Sequence, residues 1–224
     1  MTLPVIAIDG PSASGKSSTG SAVARQLGWV HLDTGALYRG LTRVALDGGN
    51  LSDTRSILAG AEARGLSLSR VGEEVVVMLD GVAAEPVIRT PEVTAAVSEV
   101  SALPGVRDWA NTRFRAAAEG GVHLVLDGRD IGTAVFPDAP LKIYLTAPPT
   151  VRARRRLEQL AAEPSPQALA ETTARLTARD LADSTRTVAP LRRAPDAVEL
   201  DTSALGFAEQ VARIVSLARQ IWLR

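Results

Sequence analysis

The sequence predicts an α/β fold in which a parallel five-stranded sheet carries helices on both faces. Three observations predict it: short apolar runs bounded by Gly, Pro, Asp or Thr, helical stretches that follow them, and a glycine-rich turn directly after the first run. Strands that alternate with helices form parallel sheets buried on both sides. A chain of 224 residues with 46% hydrophobic and 22% charged residues can bury such a core.

Five apolar runs are predicted as the parallel strands, and each is four to six residues long. They are Val5 to Asp9, Trp29 to Leu32, Val122 to Asp127, Leu141 to Thr146 and Ala197 to Asp201. The helical stretches that follow them include Lys16 to Leu27, Val151 to Leu160 and Phe207 to Trp222. The last stretch carries apolar residues close to a 3.6-residue period, which is typical of a helix with one buried face.

Residues 66–90 interrupt this alternation. Leu66 to Ser69 alternates in polarity, Val75 to Leu79 is rich in β-branched residues, and Asp80-Gly81 is a tight-turn signal. The segment therefore predicts a small antiparallel β insertion. A second irregular stretch, Ala162 to Gln167, contains two prolines and predicts a loop between two helices.

Composition narrows the classes of function. A formal net charge of zero disfavours a protein that holds a nucleic acid polymer. The absence of cysteine excludes a disulfide framework and thiolate metal sites, and it fits a reducing compartment. The apolar run at the N-terminus is too short for a signal peptide or a membrane span. We expect a cytoplasmic protein, and a monomer because no long apolar surface stripe is evident.

The glycine-rich turn has the pattern G-x-x-x-x-G-K-S and lies between a predicted strand and a predicted helix. A phosphate-binding loop requires this context, because glycines let the backbone approach phosphate oxygens and the helix N-terminus attracts anions. We therefore predict a P-loop NTPase-type fold that binds a nucleoside triphosphate. The residues assigned to this binding are Gly10, Pro11, Ser12, Ala13, Ser14, Gly15, Lys16, Ser17 and Ser18.

Two candidate metal ligands follow from the same reasoning. Lys16 is predicted to reach the β- and γ-phosphates, and the hydroxyl of Ser17 to ligate Mg²⁺, which prefers oxygen. Asp127, at the end of a predicted strand, is the second candidate ligand. The alternative for Asp127 is a residue that only forms a turn.

The arginines are used to look for a second substrate beside the nucleoside triphosphate. Only Lys16 and Lys142 among the 25 basic residues are lysines, and all the others are arginines. A kinase that phosphorylates an anion must bring two polyanions together, and arginine binds phosphate in a bidentate manner. Two helical faces carry suitable groups, one with Arg152, Arg155 and Arg156 and one with Arg179, Asp183 and Arg186. They flank the proline-containing loop, which predicts a closing lid. The alternative is a helix pair whose solvent faces carry salt bridges.

Together with the phosphate loop, several further motifs are recognisable. They are Ile8-Asp9-Gly10-Pro11, Leu32-Asp33-Thr34-Gly35-Ala36-Leu37-Tyr38-Arg39, Ile88-Arg89-Thr90, Asp127-Gly128-Arg129-Asp130, Val135-Phe136-Pro137-Asp138-Ala139 and Arg186-Thr187-Val188-Ala189-Pro190-Leu191. On these motifs the chain resembles the bacterial cytidylate kinase family of nucleoside monophosphate kinases over nearly its whole length. The resemblance implies phosphorylation of CMP and dCMP, with ATP as donor and Mg²⁺ as cofactor.

The resemblance also implies a division of the chain. The core would comprise residues 1–35, 101–150 and 181–224. The monophosphate-binding part would comprise residues 36–100, including the β insertion. The lid would comprise residues 151–180. It implies that the cytosine base is read by Ser98, Arg107 and Asp130, and that the acceptor phosphate and its surroundings are contacted by Tyr38, Arg39 and Arg129. It also implies that Arg179 and Asp183 contact sugar and phosphate. Arg186 would contact the transferring phosphate. Thr34 stands where many members have serine, and it retains the hydroxyl.

The implied base contacts agree with the chemistry of cytosine. Its exocyclic amine donates to a carboxylate such as that of Asp130, whereas uracil presents a carbonyl there. The alternatives are that Ser98 caps a helix or faces solvent and that Arg107 is a surface arginine.

Catalysis is predicted to rest on positioning and charge neutralisation by Lys16, Arg129, Arg152, Arg156 and Arg186. The acceptor phosphate is largely dianionic near neutral pH, so no strong general base is needed. His31 and His123 lie in strand contexts and are predicted to be packing residues rather than acids or bases.

Other functions remain open on sequence grounds. One is a P-loop kinase that acts on a different monophosphate or on a small acceptor such as shikimate or dephospho-coenzyme A; the β insertion and the Asp33-to-Arg39 segment argue against it. A GTP-dependent switch usually carries Asn-Lys-x-Asp, which is absent here. A nucleic-acid-binding protein is disfavoured by neutral charge and sparse aromatic residues.

Overall fold

The computed structural model describes residues 4–222 and has the predicted α/β architecture. The strands are β1 Val5–Asp9, β2 Val30–Asp33, β3 Ser67–Val71, β4 Glu74–Leu79, β5 Val82–Ala83, β6 Leu124–Gly128, β7 Leu141–Thr146 and β8 Val198–Asp201. The α-helices are α1 Lys16–Leu27, α2 Thr34–Asp47, α3 Thr54–Ala63, α4 Glu85–Ile88, α5 Pro91–Val100, α6 Pro104–Ala117, α7 Pro149–Gln159, α8 Pro166–Thr185 and α9 Phe207–Trp222.

The sheet has the strand order β3-β4-β2-β6-β1-β7-β8, with β5 paired to β4. The five predicted strands form its parallel part, β2-β6-β1-β7-β8, and their ends differ from the prediction by at most two residues. The predicted β insertion is present as β3, β4 and β5, in which β3 and β5 each pair antiparallel with β4. In addition, β4 pairs parallel with β2, so the insertion extends the central sheet to eight strands.

Helices cover both faces of the sheet, as predicted. In β1, Val5 and Ala7 belong to a core cluster with α2, α3, α5 and α6, whereas Ile6 and Ile8 belong to a cluster with α1 and α9. A strand whose successive side chains are all buried is typical of a parallel sheet between two helical layers. Within residues 4–222, no helix is both long enough and apolar enough to cross a membrane.

The helices α7 and α8 pack against each other and are joined by residues 160–165. The predicted loop is present, but it lies two residues earlier than predicted, because α8 already begins at Pro166. Helix α7 also begins two residues earlier than predicted. The hydroxyl of Ser165 accepts a hydrogen bond from the amide of Ala168 at 3.1 Å and caps the start of α8. Both helices carry candidate arginines, Arg152 and Arg156 on α7 and Arg179 on α8.

The carboxyl ends of β1, β2 and β6 lie side by side, so polar residues that follow these strands are brought together. Asp9, the last residue of β1, accepts hydrogen bonds from the amides of Ile131 and Gly132, both at 2.8 Å. These residues begin a single π-helical turn, Ile131–Val135, directly after Asp130. Burial raises the pKa of the Asp9 carboxyl to about 6, although the two amides act in the opposite direction.

We predict that Asp9→Asn destabilises the protein by about 1–3 kcal/mol, because one of the two amides would then face an NH₂ group. The loss should depend on pH. The Asp9 carboxyl has a folded pKa of about 6 against an ordinary 3.8, so folding takes up a proton between these values. The wild-type protein should therefore gain stability relative to Asp9→Asn as the pH falls from about 7 to about 5. Urea unfolding at both pH values measures this difference, and a difference that grows with rising pH would contradict it.

Candidate active site

The loop between β1 and α1 needs glycine at both ends. Gly10 has φ +151°, and a Cβ there would lie 2.1 Å from the carbonyl oxygen of Leu145. Gly15 has φ +90° and forms the N-cap of α1. The loop therefore packs its backbone closely against β7 and turns sharply into the helix, as a phosphate-binding loop requires.

Lys16 is buried at the first position of α1. Its ammonium donates to the carbonyl of Pro11 at 2.7 Å and to the hydroxyl of Ser14 at 3.4 Å. Burial, together with the nearby charge of Arg129, lowers the pKa of Lys16 to about 7, although Asp127 acts in the opposite direction. A phosphate group beside Lys16 would favour the charged form again, because an opposite charge raises the pKa of an amine.

Ser17 and Asp127 are brought together, as the sequence analysis predicted for a metal pair. The hydroxyl of Ser17 donates to Asp127 Oδ2 at 2.8 Å. Thr34 supports the arrangement, because its hydroxyl donates to the backbone oxygen of Asp127 at 2.7 Å. Residues 4–222 contain no cluster of three or more histidine, cysteine or carboxylate groups that could enclose a metal. The pair fits Mg²⁺, which takes one or two protein oxygens and completes its shell with water and phosphate.

Three neighbouring arginines have no carboxylate partner among the described residues, and one of them, Arg179, lies close enough to Lys16 to affect its charge. Arg39 and Arg156 donate only to neutral oxygens, at 2.9 and 2.8 Å, and the Nε of Arg179 is buried without a partner. Burial, together with the charge of Arg179, lowers the pKa of Arg39 to about 10. Burial also lowers the pKa of Arg179 to about 10, with Arg129 adding to it. Such a concentration of uncompensated positive charge indicates a site for anions.

The predicted base-reading residues are brought together only in part. Arg107 is 1% exposed, donates to the carbonyl of Ser101 at 3.1 Å and pairs with Asp130, so it is not a surface arginine. Arg186 donates to the other oxygen of Asp130 at 3.1 Å. Ser98 lies nearby on α5, but among the described contacts only its backbone oxygen is used, by the hydroxyl of Ser101.

Tyr38 lies beside the Arg107–Asp130 pair, and its hydroxyl is buried and has no hydrogen-bond partner among the described residues. The guanidinium of Arg107 lies 5.3 Å from the centre of its ring, and the ring of Phe114 contacts it edge-on. Burial raises the pKa of the Tyr38 hydroxyl, which therefore stays protonated and able to donate. A buried hydroxyl without a partner is a candidate ligand contact.

Helix α8 reaches the end of β6 through ion pairs. Arg129 Nε lies 2.9 Å from Asp183 Oδ2, and Asp183 Oδ1 lies 4.0 Å from Arg186. Asp183, predicted to contact sugar and phosphate, is therefore connected by ion pairs to both Arg129 and Arg186. Ser12 and Ser14 are buried in the loop, whereas Ser18 is exposed on α1.

Arg152 has surroundings that the sequence did not predict. Its guanidinium donates to the carbonyls of Ala147 and Ser12, both at 2.8 Å, and to the carboxylate of Asp180 at 2.6 Å. The other oxygen of Asp180 accepts from the amide of Ser12 at 2.8 Å. Arg152 and Asp180 thus fasten α7 and α8 to the loop, whereas Arg156, on the same helix, does not share this pair.

Asp180 and His31 were both missed as functional candidates. In the sequence, the only indication for Asp180 is that it directly follows Arg179, a candidate phosphate ligand. His31 lies between Asp127 and Glu74, at 2.9 and 2.7 Å, and is therefore more than a packing residue. Burial opposes its charge, but hydrogen bonds to the two carboxylates outweigh burial and raise the pKa of His31 to about 9. His123 does pack, with its ring centre 4.7 Å from that of Trp29.

Comparison with known proteins agrees with the geometry. The cytidylate kinase family model matches residues 6–220. A cytidylate kinase of Mycobacterium leprae (strain Br4923) is 45% identical over 223 residues, which cover 98% of this chain and 97% of the relative. A solved structure of an uncharacterised protein from Eubacterium ventriosum shares the fold, with a TM-score of 0.51 and 9% identity over 96% of this chain and 97% of that chain.

A longer relative matches as well. The bifunctional pantoate ligase/cytidylate kinase of Synechococcus sp. (strain RCC307) is 47% identical over 223 residues, which cover 97% of this chain. The chain spans only 43% of the length of that relative. A family model that matches almost the whole sequence, together with these identities, shows that the chain belongs to the cytidylate kinase family.

Proposed function

We propose that this protein transfers the γ-phosphoryl group of ATP to CMP or dCMP. The observation that carries the proposal is a cluster of three arginines, Arg39, Arg156 and Arg179, that have no carboxylate partner among the described residues. Of these, Arg179 lies close enough to Lys16 of the phosphate loop for the two charges to interact. A protein that binds one triphosphate needs the loop and its lysine. The additional uncompensated charges suit a second anion that must approach the first.

The donor site is proposed to consist of the loop from Gly10 to Ser18, with Lys16 on the β- and γ-phosphates. Ser17 and Asp127, 2.8 Å apart, are the proposed protein ligands of Mg²⁺. When bound, Mg²⁺ neutralises phosphate charge and orients the triphosphate. Arg152 and Asp180 keep the loop in position, since both bind backbone atoms of Ser12.

The acceptor site is proposed to lie between α2 and α8. Arg39, Arg129 and the unpaired hydroxyl of Tyr38 suit the monophosphate of CMP. Arg179 and Asp183 suit the sugar and the neighbouring phosphate, and Arg186 suits the transferring group. These assignments extend the family resemblance to the corresponding residues of this chain.

Recognition of cytosine is proposed to depend on Asp130, with Arg107 and Ser98 as further contacts. Arg107 and Arg186 hold the two oxygens of Asp130 in fixed directions. A fixed carboxylate can accept from the exocyclic amine of cytosine, whereas the carbonyl of uracil would face it with like partial charge.

The mechanism is proposed to be an in-line displacement without a general base. An oxygen of the CMP phosphate is already anionic and attacks the γ-phosphorus of ATP, and ADP leaves. Lys16, Arg156 and Arg186 stabilise charge on the transferring group. The part formed by residues 36–100 and the lid formed by residues 151–180 would close over the substrates and exclude water.

The function is tested by an acceptor screen with ATP and Mg²⁺ that includes CMP, dCMP, UMP, AMP and shikimate. We expect ADP to form fastest with CMP or dCMP and only slowly without an acceptor. Lys16→Ala should lower kcat by about 100-fold or more, because the transferring group loses its nearest cation. A wild-type protein that leaves every monophosphate unchanged would refute the proposed function.

We further predict that Asp130→Ala relaxes the preference for cytosine. The ratio of kcat/KM for CMP to that for UMP should fall by about tenfold or more, because the acceptor for the exocyclic amine is lost. Steady-state kinetics with both monophosphates measures the ratio, and Asp138→Ala, at an exposed aspartate, is the matched control. An unchanged ratio would remove Asp130 from base recognition.

A further inference from the structure

His31 lies directly behind the Ser17–Asp127 pair. It is 4% exposed, and both of its ring nitrogens are engaged by carboxylates. Nε2 lies 2.9 Å from Asp127 Oδ1, and Nδ1 lies 2.7 Å from Glu74 Oε2. A buried histidine held at both nitrogens has a fixed ring orientation.

The contacts of Asp127 show what this ring restrains. Its Oδ1 contacts His31, and its Oδ2 accepts from the hydroxyl of Ser17 at 2.8 Å. Thr34 fixes the backbone of the same residue. The carboxylate is therefore held from behind at one oxygen while the other is directed toward Ser17.

The adjacent helix makes room for the ring. A Cβ at Gly20 of α1 would lie 2.9 Å from His31 Nε2 and 3.0 Å from Cδ2, so any larger residue would displace the imidazole. Glycine in a helix interior costs about 1 kcal/mol relative to alanine. This close fit is a second observation, independent of the hydrogen bonds, that ties the position of the ring to α1.

Glu74 completes the arrangement from the β insertion. It lies opposite His31 in the parallel pairing of β4 with β2. Its Oε1 accepts from the hydroxyl of Ser21 at 2.5 Å, while Oε2 contacts His31. A chain of hydrogen bonds thus runs from Ser21 and Glu74 through His31 to Asp127 and Ser17.

We propose that His31 is a positioning residue that orients the carboxylate of Asp127 for Mg²⁺ bound with the nucleotide, and that Glu74 in turn orients His31. The inference rests on the proposed function, because it concerns the metal pair of the donor site. Partners behind a metal ligand fix its direction, and their loss lowers metal affinity by about 10- to 100-fold.

The test compares the affinity for ADP with Mg²⁺ to the affinity for ADP with EDTA, by calorimetry. The wild-type protein should bind ADP more tightly with Mg²⁺. His31→Leu should lose at least about tenfold of this gain, while the affinity measured with EDTA changes by less than about twofold. A role in packing alone would lower the melting temperature but leave the ratio of the two affinities unchanged.

Two further variants separate the two nitrogens and remain informative if His31→Leu does not fold. The amide of His31→Gln can reach the position of Nε2 and should keep most of the Mg²⁺ gain, whereas that of His31→Asn reaches only the position of Nδ1 and should lose it. A wild-type ratio in His31→Leu, or equal ratios in the two amide variants, would overturn the inference alone. A wild-type protein without any Mg²⁺ gain would overturn both the inference and the proposed metal site.

Discussion

Uncompensated positive charge at the carboxyl edge of the sheet is the constraint on which the rest of this structure depends. Burial and neighbouring cations lower the pKa of Lys16, Arg39 and Arg179, so each of these groups is less stable in its charged form than in water. Nearby carboxylates relieve this cost only in part: Asp127, Asp33 and Asp183 favour the charged forms of Lys16, Arg39 and Arg179, but Asp183 already pairs with Arg129. Two phosphate-bearing substrates would supply the missing negative charge.

The parallel sheet explains how the charged groups of the site come together at one edge. Asp9 and Asp33 end their strands and Asp127 lies one residue before the end of the strand between them, and the three carboxylates serve different partners. Asp9 fixes the turn after Asp130, Asp33 pairs with Arg89 at 2.9 Å, and Asp127 faces the phosphate loop. Carboxylates at or beside the strand ends thus organise the site, while Arg39, Arg156 and Arg179 come from helices α2, α7 and α8.

Local patterns predicted the parallel strands, the phosphate loop and the helices around it, because each depends on residues close in sequence. Pairing across the chain was harder to predict. The pairing of β4 with β2, the carboxylates around His31 and the attachment of Arg152 to Ser12 all join segments far apart in sequence. Base recognition was predicted only through the family resemblance, since nothing local distinguishes buried Arg107 from a surface arginine.

The most direct measurement is the calorimetric affinity, with Mg²⁺ present, of adenosine and cytidine joined 5′ to 5′ by a polyphosphate chain. This compound delivers the charge of both substrates at once, so we predict that the wild-type protein binds it at least about 100-fold more tightly than ATP. In Arg179→Met this preference should shrink by about tenfold, because one of the uncompensated cations is removed. A joined compound that binds no more tightly than ATP would contradict the account.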